Sequence, residues 1–280
     1  MNCSWIRRLS IVSLVLAYVG AMGANYSHIY VFGDSLSDTG NVKILTFGFY
    51  PPSPYWNGRF SNGPVWIETT ASKYGLPVNP SLGGGTNYAF GGAETGSGYS
   101  HSNTPNIGTQ INMFRQNVGT FLSSDLVVLF IGGNDFLNGQ TNPQIPLSNI
   151  QSELQRLYGY GARQFLVANL PLLGYIPSAY GTAEQDVLNV LSSSFNKGLA
   201  ELCFNFRVEH PAASVTLLDI QRFFMLVRAN PLSFGFTNIT DSYMDEGSGD
   251  PDRYLFWDTV HPTRVAHAGI GNFAFQRLGP

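Results

Sequence analysis

Apolar residues fall along this chain in two alternating rhythms. Four short stretches are apolar at nearly every position: His28-Ile-Tyr-Val-Phe32, Asp125-Leu-Val-Val-Leu-Phe-Ile131, Gln164-Phe-Leu-Val-Ala168 and Ser214-Val-Thr-Leu-Leu218. Their β-branched and aromatic content predicts strands. An apolar run without alternation suits a strand covered on both faces, as in a buried parallel sheet. Between the strands, apolar positions recur at helical spacing over Val65–Lys73, Leu147–Tyr158, Ala183–Val208, Gln221–Ala229 and Pro262–Leu278. Pro64 and Gly75 bracket the first of these helices, and Asn230-Pro231 stops the fourth. Strands alternating with helices predict an α/β sandwich around a parallel sheet. Ligands in such folds sit beyond the carboxyl ends of the strands. Ser35, Asn134 and the Asn169-Leu-Pro171 turn each follow a predicted strand there.

The first 23 residues break this rhythm. Arg7 and Arg8 precede the apolar stretch Leu9–Val19, and small residues follow from Gly20 to Ala24. That order predicts a secretory signal peptide over residues 1–23, with residues 24–280 as one domain of a secreted protein, periplasmic or extracellular. Cleavage after Gly23 satisfies the small-x-small rule through Ala21 and Gly23. Cleavage after Ala21, a twin-Arg export signal on Arg7-Arg8 and an uncleaved anchor are the alternatives. Cleavage would also remove Cys3, leaving Cys203 without a disulfide partner in its own chain. Cys203 lies in the helical pattern Leu199–Phe204 and is expected to pack in the core.

Composition narrows the function classes. With 44% hydrophobic residues in 280, the chain can bury a full core and is not a disordered segment. The net charge of −3, without a Lys/Arg run beyond Arg7-Arg8, gives no support to a nucleic-acid footprint, and no nucleic-acid partner is expected. No P-loop, His-Glu-x-x-His or Gly-x-Ser-x-Gly motif is present. Ser194 and Lys197 match Ser-x-x-Lys, but mid-helix and without the companion motifs, so the match is read as chance. The histidines do not cluster, so nothing points to a metal site, and no cofactor is expected.

The remaining chemistry lies in Gly33-Asp-Ser35-Leu-Ser37, directly after the first strand, and in Asp258-Thr-Val-His261-Pro262 near the other end. A serine hydroxyl needs a base to attack an ester carbonyl, because its proton is held tightly at neutral pH. The three-residue step from Asp258 to His261 lets one turn bring a carboxylate to the imidazole Nδ1, fixing its tautomer.

Taken together these residues resemble the GDSL family of the SGNH hydrolase superfamily. The resemblance spans four blocks in order: Phe32-Gly-Asp-Ser-Leu-Ser-Asp-Thr-Gly-Asn41, Asn87-Tyr-Ala-Phe-Gly-Gly-Ala93, Gly132-Gly-Asn-Asp135 and Asp258-Thr-Val-His261. A further segment, Trp56-Asn-Gly-Arg-Phe-Ser-Asn-Gly63, is similar to one in bacterial secreted lysophospholipases, in lecithinase-type enzymes and in plant GDSL lipases. The resemblance implies a three-layer α/β/α sandwich of flavodoxin-like type and a cofactor-free serine esterase or lipase. It also implies roles: Ser35 as nucleophile, His261 as base and acid, Asp258 as its orienting carboxylate. Ser35 N–H, Gly92 N–H and the Asn134 side-chain amide would form the oxyanion hole. Gly91 competes with Gly92 for that role, and Asp250 or Asp252 with Asp258. Ser35 could instead cap a helix, and Asn134 could be a turn residue. Asp34, Asp38 and Asp135 are read as carboxylates that hold loops, and His28, His101, His210 and His267 as surface or packed histidines.

Aromatic residues are dense in Phe47–Trp56 and in Phe223–Phe236. Such loops can line an apolar groove or touch a membrane surface transiently, and ordinary packing is the competing reading. The expected substrate is a small-molecule or lipid ester, with lysophospholipids first. A short-chain carbohydrate (acetyl) esterase is the nearest enzymatic alternative, and a catalytically inactive surface-binding protein retaining the fold is the alternative from another class.

Overall fold

The structure, a computed structural model, describes residues 26–280, so the segment read as a signal peptide lies outside the described residues. Strands β1 (Ile29–Gly33), β2 (Leu126–Phe130), β3 (Gln164–Ala168) and β4 (Ser214–Leu218) form one parallel sheet in the order β1-β2-β3-β4. Ile29 stands opposite Leu126, Leu126 opposite Gln164, and Gln164 opposite Ser214. Every position of β1 and β2 is buried, as their unalternating apolar runs require.

Residues 86–90 run along the free edge of β1. Val31 N–H donates to the Thr86 carbonyl (3.1 Å), Tyr88 N–H to Val31 (2.7 Å) and Phe90 N–H to Gly33 (3.1 Å). Counted in chain order this segment is the second strand, so the sheet reads 2-1-3-4-5, the flavodoxin-like order. The switch point of that order lies between β1 and β2, where Ser35 and Asn134 emerge.

Helices α1 (Asn41–Leu45), α2 (Trp66–Lys73), α3 (Ile107–Asn117), α4 (Gly133–Leu137), α5 (Gln144–Gly159), α6 (Gln185–Glu209), α7 (Ile220–Ala229), α8 (Tyr243–Glu246) and α9 (Arg264–Leu278) complete the chain, with a short parallel pair β5 (Asn238–Ser242) and β6 (Tyr254–Phe256). Successive strand side chains point to opposite faces. Phe32 of β1 meets Phe114 of α3, and Phe165, on the same face, meets Phe206 of α6. Phe130, opposite Gly33, points the other way onto Trp66 of α2. Helices α3, α5 and α6 pack in sequence on the first face, and α2 and α9 pack together on the second, with α7 against α9. The result is the expected three-layer α/β/α sandwich.

The expected helices are present with shifted ends. Helix α5 starts at Gln144, three residues before the first predicted position, because Pro143 and Pro146 both fit a first turn. Helix α9 starts at Arg264 rather than Pro262. Helices α1, α3, α4 and α8 and the β5–β6 pair fall outside the predicted elements.

Candidate active site

Strand β1 ends at Gly33, where an added Cβ would overlap the Phe130 carbonyl oxygen, so only glycine lets the two strands stay this close. Gln110, fully buried on α3, satisfies both main-chain groups of Gly33: its Oε1 accepts from the N–H (2.9 Å) and its Nε2 donates to the carbonyl (2.8 Å). The chain then turns tightly. Ser37 and Asp38 N–H donate to the Asp34 carbonyl, and Leu36 N–H donates to the Asp34 carboxyl. Burial pushes that carboxyl up to about 7, against the pull of the Leu36 N–H and the His261 charge. Ser35 sits on the crest of the turn, 6% exposed.

The second arm is the turn at 258–261. Val260 and His261 N–H both donate to Asp258 Oδ1, at 2.8 and 2.6 Å. This folds the imidazole back so that Nδ1 lies 2.7 Å from Asp258 Oδ2, while Nε2 lies 2.7 Å from Ser35 Oγ. Burial alone would raise the Asp258 carboxyl. The His261 charge, with hydrogen bonds from His261 and Tyr55, outweighs it and holds the group at about 2. An ionised carboxylate only accepts, so Nδ1 carries a proton; in the neutral imidazole this leaves the Nε2 lone pair facing the Ser35 hydroxyl. The competing carboxylates are engaged elsewhere. Asp252 pairs with Arg264 at 2.6 Å, and Asp250 accepts from Asp252 N–H.

The segment around residues 56–63 straps this turn in place. The Phe60 ring lies 5.3 Å from the His261 ring, Ser61 Oγ donates to the Pro262 carbonyl, and Asn62 accepts from Arg264 N–H. The Tyr55 hydroxyl donates to Asp258 Oδ2 at 2.6 Å. No spacing or motif in the sequence singles out Tyr55, which is 203 residues from its partner.

Asp38 sets Gly91 apart from Gly92. Its carboxylate accepts from Gly40, Asn41, Val42 and Gly91 N–H groups, so the Gly91 N–H is spent. Burial still raises this carboxyl to about 6. Among the described residues, neither the Gly92 nor the Ser35 N–H has a protein acceptor. Gly92 has φ of 78°, and a Cβ there would stand 2.6 Å from Ser102 Oγ, so the position is restricted to glycine. Asn134, at the start of α4, donates one amide hydrogen to the Ala93 carbonyl at 2.9 Å, which fixes the amide and leaves its second hydrogen free. Asp135 accepts from the Thr95 hydroxyl and N–H and clamps the same loop. Ser35, Gly92, Asn134 and His261 all line one groove.

Two chambers meet at this point. The groove, about 660 Å³, is bounded by Leu45, Thr46, Tyr50 and Tyr99. A narrow slot, about 50 Å³, runs the other way between Leu170, Leu173, Ile176, Phe224, Met225 and Leu255. Ser35, Asn134, Leu137 and Val260 line both. The Asn169–Pro171 turn contributes Leu170 and Pro171 to the slot, while Asn169 itself bonds Asp219 and Gln221 N–H.

The other histidines stay outside the site. His267 is buried on α9, accepts from Trp66 N–H and is pushed down to about 3 by burial. His28, His101 and His210 bond Asp125, Glu94 and Gln155. Cys203 is buried in α6. Among the described residues no group of three or more His, Cys, Asp or Glu could hold a metal ion.

A family profile, GDSL-like lipase/acylhydrolase, matches residues 29–273. The chain belongs to this family. As a GDSL-like acylhydrolase it is a carboxylic ester hydrolase, and its blocks around Ser35, Gly92, Asn134 and His261 fall within the matched range. Similar proteins include a phosphatidylcholine-sterol acyltransferase of Aeromonas hydrophila, 29% identical, covering 94% of this chain and 92% of that protein. A GDSL esterase/lipase of Arabidopsis thaliana is 26% identical, covering 88% and 86%. Among solved structures, a lipolytic G-D-S-L family protein of Veillonella parvula superposes with a TM-score of 0.51 at 17% identity, covering 89% and 96%. The acetylxylan esterase Axe2 of Geobacillus stearothermophilus does so with 0.52 at 14%, covering 92% and 97%. These likenesses establish the shared GDSL hydrolase fold.

Proposed function

We propose that this GDSL-like acylhydrolase is an exported lipid esterase that cleaves acyl esters, lysophospholipids first, through an acyl-enzyme on Ser35. Ser35 Oγ attacks the ester carbonyl carbon while its proton passes to His261 Nε2, and Asp258 stabilises the imidazolium. The carbonyl oxygen becomes an oxyanion that accepts from Ser35 N–H, Gly92 N–H and the Asn134 amide. Each aimed donor is worth about 2.7–4 kcal/mol in the transition state. His261 returns the proton to the alcohol oxygen as the C–O bond breaks. Water then attacks the acyl-serine, giving its proton to His261. The acid leaves as that proton returns to Ser35 Oγ. The single observation carrying this reading is the unbroken hydrogen-bond chain Asp258–His261–Ser35 beside donors with no protein acceptor.

Shape and polarity support a lipid ester. The apolar lining of the slot suits an acyl chain, which must widen it from its present volume of about 50 Å³ on entering, and the wider groove suits the alcohol portion. Residues 44–57 contain no charged side chain, and Phe47 and Phe49 stand 90% and 82% exposed near the groove rim. An uncharged aromatic rim beside the site suits transient contact with a lipid surface. The Aeromonas relative, named for phosphatidylcholine, supports the same substrate class. The residue 1–23 pattern supports export.

A substrate panel tests the lipid assignment: p-nitrophenyl esters of rising chain length, lysophosphatidylcholine, phosphatidylcholine and acetylated xylan. Lysophosphatidylcholine and medium-to-long chains should give the highest kcat/KM. Preference for acetylated xylan over every lipid would replace this reading with the carbohydrate esterase.

A further inference from the structure

The carboxylate of Asp258 accepts four hydrogen bonds, and three of them come from its own turn: Val260 N–H, His261 N–H and His261 Nδ1. A carboxylate held only by neighbours within three residues can swing together with that turn. The fourth donor, the Tyr55 hydroxyl, arrives from a distant segment and meets the same Oδ2 that faces the imidazole. Tyr55 is itself braced, its ring set edge-on against Phe60 and Trp257, each with centroids 6.3 Å away. Phe60 in turn lies against the His261 ring. The side chains of Asp258 and His261 are 13% and 15% exposed, so water competes weakly for these bonds.

We infer that Tyr55 is a positioning residue of the triad: its hydroxyl anchors Asp258 from outside the 258–261 turn and so fixes the imidazole against Ser35. Tyr55 lines neither the groove nor the slot, and it acts through Asp258. Because Tyr55 belongs to the Phe47–Trp56 segment, whose Tyr50 lines the groove, the groove wall and the catalytic carboxylate are joined through one stretch of chain. The inference rests on the reading of Ser35, His261 and Asp258 as the triad.

The test compares Tyr55→Phe and Tyr55→Ala with Ser35→Ala on p-nitrophenyl butyrate, after thermal melts confirm folding. Removing a hydrogen bond to a charged group should lower kcat about tenfold or more while KM stays within about twofold. Tyr55→Phe should therefore lose as much kcat as Tyr55→Ala, although it keeps the ring. If Tyr55 only packs, Phe restores the wild-type rate. In the proton NMR spectrum the low-field His261 Nδ1–H resonance should also move in Tyr55→Phe. A Tyr55→Phe enzyme with kcat within about twofold of wild type and an unmoved resonance overturns the inference. Activity surviving in Ser35→Ala would instead overturn the triad itself, so the two failures are distinguishable.

Discussion

The stretches Phe47–Trp56 and Phe223–Phe236 are both rich in aromatic residues, five in ten and four in fourteen, yet Phe47 and Phe49 stand in solvent while Phe223, Phe224 and Phe236 are buried. Backbone chemistry separates them. Asp219 caps α7 by accepting from Arg222 N–H, and the helix then places Phe223, Phe224 and Val227 on one inward stripe. Residues 47–56 hold Gly48, Pro51, Pro52 and Pro54, which deny a helix its donors and its single face. Aromatic content alone therefore does not say which side of the surface a segment serves. In this molecule the buried stretch supplies the slot wall through Phe224 and Met225, and the exposed one the groove rim.

Three substitutions can break or sharpen that contrast. The largest effect is expected from Phe223→Ala, which empties a site packed by Phe224, Phe234 and Phe273. Chemical denaturation should show a loss of about 3–5 kcal/mol. A loss below about 1 kcal/mol would mean that the second stretch is not core. Next comes Met225→Trp, at a 41% exposed position on the slot wall that tolerates a larger side chain. Its kcat/KM for long-chain p-nitrophenyl esters should fall about tenfold, with butyrate little changed. Equal losses at all chain lengths would remove the acyl chain from the slot. The smallest is Phe49→Ser, which should leave stability within about 0.5 kcal/mol. It should weaken sedimentation with phosphatidylcholine vesicles several-fold, because one aromatic side chain no longer leaves water. Vesicle binding equal to wild type would detach the rim from lipid.

The same physical distinction explains what could be read from the sequence. Strands β1 to β3 were legible because both faces are buried, so their apolar runs are unbroken. The edge segment 86–90 was not, since Asn87 is polar and pairs irregularly. Helix α3 was hidden by Gln110, a polar residue on the inward face whose task is to bond the Gly33 backbone. Strand β5 reads Asn-Ile-Thr-Asp-Ser, a turn-like composition. The Ser35, Asn134 and His261 positions stood out by motif and by their place after strands or beside a carboxylate. Gly92 was preferred over Gly91 by the resemblance, and the Asp38 bond to Gly91 N–H adds the physical reason; Tyr55 needed a contact between segments that no local pattern encodes.

The central claim is that Ser35 is the nucleophile, and active-site labelling tests it most directly. A fluorophosphonate probe should form one covalent adduct on a peptide containing Ser35 and abolish hydrolysis of p-nitrophenyl butyrate in proportion to labelling. Ser35→Ala should be unlabelled and inactive. An adduct on another residue, or hydrolysis persisting in Ser35→Ala at the wild-type rate, would contradict the account.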